Sequence, residues 1–189
     1  MTEKEILQIF EKTKAVLKGH FKLSSGLHSG GYLQCARALQ YPAHAEKLCK
    51  ALAGRFKSEK PDCVVAPALG GIVVSCGVGR ALGVKNVFTE RVEGKMTLRR
   101  GFELQPGERV LVVEDVVTTG LSTKEVVEVV RSFGAKVIAV GALVNRAKTL
   151  PEFGCRFESL ITLDIPTFDP VSCPLCKSDL PITKPGSRT

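Results

Sequence analysis

The stretch from Val110 to Thr123, VLVVEDVVTTGLST, contains the residues best suited to chemistry. Its apolar run reads as a strand that ends in two adjacent carboxylates, Glu114 and Asp115, followed by a glycine turn rich in hydroxyls that opens a helix. Free N–H groups and the dipole at a helix start favour an anion, so Val116, Val117, Thr118, Thr119, Gly120, Leu121 and Ser122 together form a cradle for a phosphate. At the strand's carboxyl end the acids can accept hydrogen bonds from sugar hydroxyls or help position a hydrated magnesium ion. Thr118 or Ser122 taken singly reads as a helix cap. No Gly-Lys-Ser/Thr follows the turn and no G-x-G-x-x-G is present, which excludes a Walker loop and a dinucleotide fingerprint.

The elements that must hold this turn follow from periodicity. Lys4 to Leu17 has helical spacing and Gly19 reads as its stop; Pro42 to Phe56 is a second amphipathic helix. Cys63 to Ala66 is a short apolar run of the kind buried on both faces of a sheet, and it breaks at Pro67-Ala68-Leu69-Gly70-Gly71 before a helix to about Leu82. Strands are predicted at Asn86–Thr89, Arg109–Glu114 and Lys136–Val144, with a helix over Leu121–Phe133 stopped by Gly134. Such alternation predicts an α/β fold with a central, mainly parallel sheet flanked by helices. The charged, glycine-interrupted stretch 91–107 is too polar for a sheet core and reads as a mobile flap. Residues 155–189 give mixed strand and turn signals.

At 189 residues with 44% hydrophobic types, the chain suits one globular domain. Lys and Arg total 27 against 19 for Asp and Glu, a net charge of +8, so anionic partners are expected. Aromatics are 6% and no Arg/aromatic stripe is visible, which disfavours dedicated nucleic-acid binding. No apolar run approaches the roughly 20 residues of a membrane span, and no signal-peptide core is present. Seven scattered cysteines fit a reducing, cytoplasmic setting. Cys173-Pro174-Leu175-Cys176 is half of a zinc knuckle, with Cys155 as a third candidate ligand. His20, His28 and His44 lack paired metal spacing, so two reduced thiols in a turn are expected there.

The Glu114–Ser122 string resembles the phosphoribosyl-pyrophosphate signature of type I phosphoribosyltransferases: two acids, two apolar residues, two small hydroxyl residues, then Gly. Phe21 to Ser29, followed by Tyr32, is similar to the substrate segment of the orotate-using members, and Asn145-Arg146 looks like the place where they set an arginine on orotate. The resemblance spans about residues 3 to 165. It implies transfer of ribose 5-phosphate from phosphoribosyl pyrophosphate to orotate, giving orotidine 5'-phosphate and pyrophosphate in pyrimidine (UMP) synthesis. A different base, or a nucleic-acid-binding regulator that senses phosphoribosyl pyrophosphate, are the alternative readings.

The resemblance further implies a single domain over 1–189, with a small hood from 1–40 and part of 150–189 and a flap over 91–107. Within a phosphoribosyl-pyrophosphate-binding stretch 114–122, Glu114 and Asp115 would meet the ribose and the N–H groups of Thr118 through Ser122 the 5'-phosphate, while Ala68, Leu69, Gly70 and Gly71 would meet the pyrophosphate. Arg91 would bind phosphoribosyl pyrophosphate and Lys95 would be the catalytic lysine, with Arg99 and Arg100 as substitutes. Orotate would meet Arg146 and Thr118, and His28 would either contact the ligand or lie at the surface. Mg²⁺ is implied as cofactor, held mostly by substrate and water with no dedicated protein site, and a homodimer sharing its flaps is implied. The chain departs from the pattern at Leu121, Val92, Gly70 and Ser24, where relatives carry a smaller residue or a further cation.

Overall fold

The computed structural model describes residues 1–23, 25–147, 149–178 and 180–184; Ser24 and the basic tail from 185 onward lie outside the described residues. Helix α1 (Glu3–Lys12) starts at a capping box formed by Thr2 and Glu5 and buries Ile6, Ile9 and Phe10. It ends earlier than its spacing predicts. The Thr13 hydroxyl donates back to the Ile9 carbonyl at 2.7 Å, and Lys14 turns to φ 52°. Leu17 therefore lies in β1 (Val16–Lys22), and Gly19 sits at a bulge of that strand rather than at a helix stop. Strand β2 (His28–Leu33) returns antiparallel to β1.

Helices α2 (Ala36–Leu39) and α3 (Pro42–Phe56) lead to β3 (Cys63–Pro67), every residue of which is buried. Next come α4 (Gly70–Leu82), β4 (Lys85–Val92), β5 (Lys95–Leu98), β6 (Arg109–Val117), α5 (Leu121–Ser132), β7 (Lys136–Asn145) and β8 (Arg156–Thr162). After these, β9 (Thr167–Phe168), α6 (Pro174–Lys177) and β10 (Ile182–Thr183) are short.

The six-stranded sheet has the order β5-β4-β3-β6-β7-β8 and is parallel except for β5. Val64, Leu111 and Val113 turn to one face, against Phe10 of α1, Leu48 and Leu52 of α3 and Val74 of α4. Val65, Val110 and Val112 turn to the other, against Val126, Val127 and Val130 of α5. This two-sided burial is why the strands read as continuous apolar runs. From α1, Ile6, Ile9 and Phe10 pack into the first of these clusters. The second sheet, of order β10-β1-β2-β9, takes its strands from within the stretches expected to make the hood.

The 91–107 stretch is a hairpin over its first part. Glu93 and Gly94 both adopt positive φ, 47° and 82°, in a tight two-residue turn between β4 and β5. Met96, Leu98 and Phe102 from this stretch pack on the α5 side of the sheet.

Candidate active site

Strand β4 lies to one side of β3 and β6 to the other, and the connections after β3 and β6 leave for opposite faces. A crevice opens at such a switch point, between the carboxyl ends of the two strands. Of the expected residues, the 68–71 loop and the Glu114–Asp115 pair meet there. Gly70, at the start of α4, faces the end of β6 so closely that a Cβ on it would collide with the Asp115 carboxylate. A Cβ on Gly71 would come within 2.9 Å of the Ala66 Cβ and 3.4 Å of a Glu114 carboxylate oxygen. Only glycines allow the 68–71 loop this approach, which accounts for the absence of a lysine at position 70. The Ala68–Leu69 peptide is cis, Ala68 N–H donates to the Thr89 carbonyl at 2.8 Å, and Leu69 is 80% exposed.

Glu114 is buried. Burial first, and the Asp115 charge second, push its carboxyl well above the usual carboxylate range, against the pull of the Asp115 N–H and the Thr123 hydroxyl. Asp115 is raised too, by burial, while Glu114 and the Val116 N–H at 3.0 Å draw it back. The pair is thus short of positive charge and holds a proton on Glu114 more tightly than a solvated carboxylate would. Cys35 lies behind it, its Sγ 3.9 Å from the Asp115 carbonyl, and its thiol is pushed up by burial and then by both acids.

The cradle is built as its spacing predicts. Gly120 adopts φ 76°, and a Cβ there would lie 2.7 Å from Pro151 and 3.2 Å from Phe153, so glycine is needed for both its backbone and its space. Residues 116–123 and Glu114 line a cavity of about 60 Å³, roughly twice the share of one liquid water. Thr118 and Thr119 are exposed there. The Leu121 side chain is 61% exposed, so its bulk lies at the surface while its N–H stays in the turn, 3.4 Å from the Thr119 hydroxyl.

Arg146 N–H donates to the Val117 carbonyl at 2.7 Å, which joins the end of β7 to the cradle. Asn145 is buried and its Oδ1 accepts from Ala147 N–H at 3.0 Å, fixing this turn. The Arg146 Nε is buried and has no hydrogen-bond partner among the described residues. Burial lowers its pKa, with Tyr32 and Cys35 the nearest groups that oppose this. Among the described residues nothing offsets the desolvation of this buried donor.

The flap cations divide into paired and unpaired. Arg91 pairs both its terminal nitrogens with Glu125 of α5 and also donates to the Gly94 carbonyl at 2.6 Å. Arg100 holds Glu90 through two bonds of 2.7 Å. Lys95 and Arg99 are exposed and form no salt bridge among the described residues. Glu125, Cys35 and Thr123 were not among the expected site residues; only Thr123, as the next hydroxyl of the motif, carried a signal. Cys155, the candidate third ligand beside the Cys173–Cys176 pair, packs with the α5-side core. A larger concavity of about 660 Å³, lined by Glu5, Lys12, Lys47 and Lys50 among others, holds none of these groups.

Comparison with known proteins agrees with this geometry. Residues 37–153 match the phosphoribosyl transferase domain model. The chain is 55% identical to the orotate phosphoribosyltransferase of Desulforamulus reducens over 188 residues, covering 100% of this chain and 98% of the relative. It is 53% identical to the enzyme of that name from Pelotomaculum thermopropionicum, covering 100% and 99%. The crystal structure of orotate phosphoribosyltransferase from Aeropyrum pernix superposes with a TM-score of 0.70 at 29% identity, covering 84% of this chain and 93% of that one. With its carboxylate pair, anion cradle and unpaired arginine at one switch point, the chain belongs to the orotate phosphoribosyltransferase family of phosphoribosyl transferase domain enzymes.

Proposed function

We propose that the β3/β6 crevice joins orotate to the ribose of phosphoribosyl pyrophosphate, as the names of the relatives indicate. The observation that carries the choice of base is the buried, unpartnered Arg146 Nε one strand away from the phosphate cradle. A planar guanidinium pairs two-pronged with a planar carboxylate, a group that uracil and hypoxanthine lack. N1 of the base attacks C1 of the ribose as the C1–O bond to pyrophosphate breaks, and the N1 proton passes to solvent or to a pyrophosphate oxygen. Positive charge grows on the sugar and negative charge on the leaving group, so fixed charges matter most.

In this reading Thr118 to Ser122 hold the 5'-phosphate and Glu114 and Asp115 hold the ribose hydroxyls. The 68–71 loop offers backbone to the pyrophosphate. Lys95 and Arg99, the unpaired flap cations, meet the leaving group on closure, and Arg91 joins them by releasing Glu125. Thr118 borders the base. Mg²⁺ is the proposed cofactor: the carboxylate pair supplies hard oxygen donors and lacks a compensating cation. When bound, the ion neutralises charge on pyrophosphate and ribose oxygens.

We further propose a homodimer in which the β4–β5 hairpin serves the neighbouring crevice, and a cytoplasmic setting, which the unpaired state of all seven cysteines supports. Among the described residues no helix is long and apolar enough to cross a membrane.

The deciding experiment follows orotate absorbance with phosphoribosyl pyrophosphate and Mg²⁺, with uracil and hypoxanthine run beside it. Turnover of orotate alone is the expected outcome, and turnover of either other base would overturn the assignment of Arg146. Mixing inactive Lys95→Ala and Arg146→Ala proteins tests the shared flap. Statistical exchange should restore about a quarter of wild-type activity if each flap serves its neighbour.

A further inference from the structure

The structure assigns a second, closed metal site, away from the crevice, to His20, His28, Cys173 and Cys176, and its chemistry is that of a structural zinc ion. The ligand atoms of these residues all lie within 4.8 Å of one another. His20 Nε2 is 2.9 Å from His28 Nδ1, 3.6 Å from Cys173 Sγ and 3.7 Å from Cys176 Sγ, and Cys176 Sγ is 3.3 Å from His28 Nδ1. Metal–nitrogen bonds of about 2.0–2.1 Å and metal–sulfur bonds of about 2.3 Å give a tetrahedron with edges of roughly 3.3–3.8 Å. The three nitrogen–sulfur distances above match, the other two sulfur edges lie within 4.8 Å, and the imidazole edge needs to open by only about half an ångström.

The tautomer is set from outside the cluster. His20 Nδ1 lies 2.8 Å from the Leu180 carbonyl, which can only accept, so Nδ1 carries the hydrogen and Nε2 turns a lone pair inward. His20, His28 and Cys173 are buried, and two thiolates with two imidazoles leave no position open for substrate, the mark of a structural rather than a catalytic ion.

A separate observation says why an ion is needed. From 162 to 184 Cys173 is the only buried residue among those described, while Val171 is 95% exposed and Ile182 45%. Yet this segment supplies both edges of the hood, β10 on β1 in register His20↔Ile182 and β9 on β2 in register His28↔Phe168. Leu163 and Ile165 pack against the core at its start, but two-residue strands with no buried residue of their own do not hold a sheet together. An ion bound midway between them, with one ligand from each strand of the β1–β2 hairpin, does.

The test is metal content and Co²⁺ spectroscopy on the full chain, made under reducing conditions in zinc-supplied medium. The expected result is stoichiometric zinc and, after exchange, the visible bands of tetrahedral Co²⁺ with thiolate charge transfer. Cys173→Ser and Cys176→Ser should lose the ion, while Cys155→Ser should keep it. Should a variant fail to fold, the wild-type Co²⁺ spectrum decides alone. Wild-type protein with only traces of zinc and no Co²⁺ thiolate bands, a Cys173–Cys176 disulfide in freshly purified protein, or equal loss in Cys155→Ser would each overturn the assignment.

Discussion

Gly70 and Asp115 are in direct van der Waals opposition: the missing side chain of the one is the space filled by the carboxylate of the other. Gly70→Ala is therefore expected to displace Asp115 rather than disturb the fold at large. A shift near 1 Å in a positioning group costs about 100-fold in rate. The check is kcat/KM for phosphoribosyl pyrophosphate alongside a thermal melt, and full activity would show that Asp115 does not depend on this contact.

Arg146→Ala should separate activity from stability. Removing a buried partner of a carboxylate costs roughly 2–4 kcal/mol in orotate recognition, or about 30- to 1,000-fold in kcat/KM. Without ligand the same change removes a buried, unsatisfied donor, so the melting temperature should hold or rise by about 2–4 °C for each kcal/mol relieved. Arg146→Lys should fall between, keeping charge but losing the two-pronged pairing.

The Glu114 carboxyl makes stability and ligand binding respond to pH in opposite directions. Its folded pKa is raised, so the folded chain binds the proton more tightly than the unfolded one. This contribution is fully present below the ordinary value of 4.5 and is lost as pH rises from there to the raised value. A ligand that brings Mg²⁺ or hydroxyl donors favours the ionised pair, so its affinity should increase over the same window with release of a proton. Calorimetry in buffers of different ionisation enthalpy measures that proton, and Glu114→Gln should abolish it.

The paired and unpaired flap cations predict different phenotypes. Lys95→Ala should lower kcat by about 100- to 1,000-fold with little change in KM, as for loss of a group that acts on transition-state charge. Glu125→Ala removes the competitor for Arg91. A partly exposed ion pair is worth up to about 1 kcal/mol, so KM for phosphoribosyl pyrophosphate should fall by up to about five-fold. A rise in KM would mean that the pair holds the hairpin in its binding position.

The features readable in one dimension are those the chain keeps contiguous. Strands β3, β6 and β7 are buried on both faces, so their apolar runs stand out, and the carboxylates and cradle sit in one unbroken string. The helical spacing runs on past the end of the first helix because Leu17 fits a helical stripe as well as a strand, and the Thr13 hydroxyl bond back to Ile9 with the positive φ of Lys14 separates the two. The hairpin in the flap did carry a signal, the Glu93-Gly94 pair between residues able to form strands. Glu125 stands 34 positions from Arg91, and Cys173 stands 153 from His20. Such pairings depend on where the sheets bring the chain back, which residue spacing does not encode.

The bond from Arg146 to Val117 has a further consequence. It fixes Arg146, proposed to meet the base, one strand over from the turn proposed to hold the phosphate, and neighbouring strands are about 4.8 Å apart. The sheet thus works as a ruler, and the gap across which the new C–N bond forms is measured by backbone rather than by side chains. A descendant of this chain could change its base by altering the loop at the end of β7, and the ribose would still arrive at the correct distance.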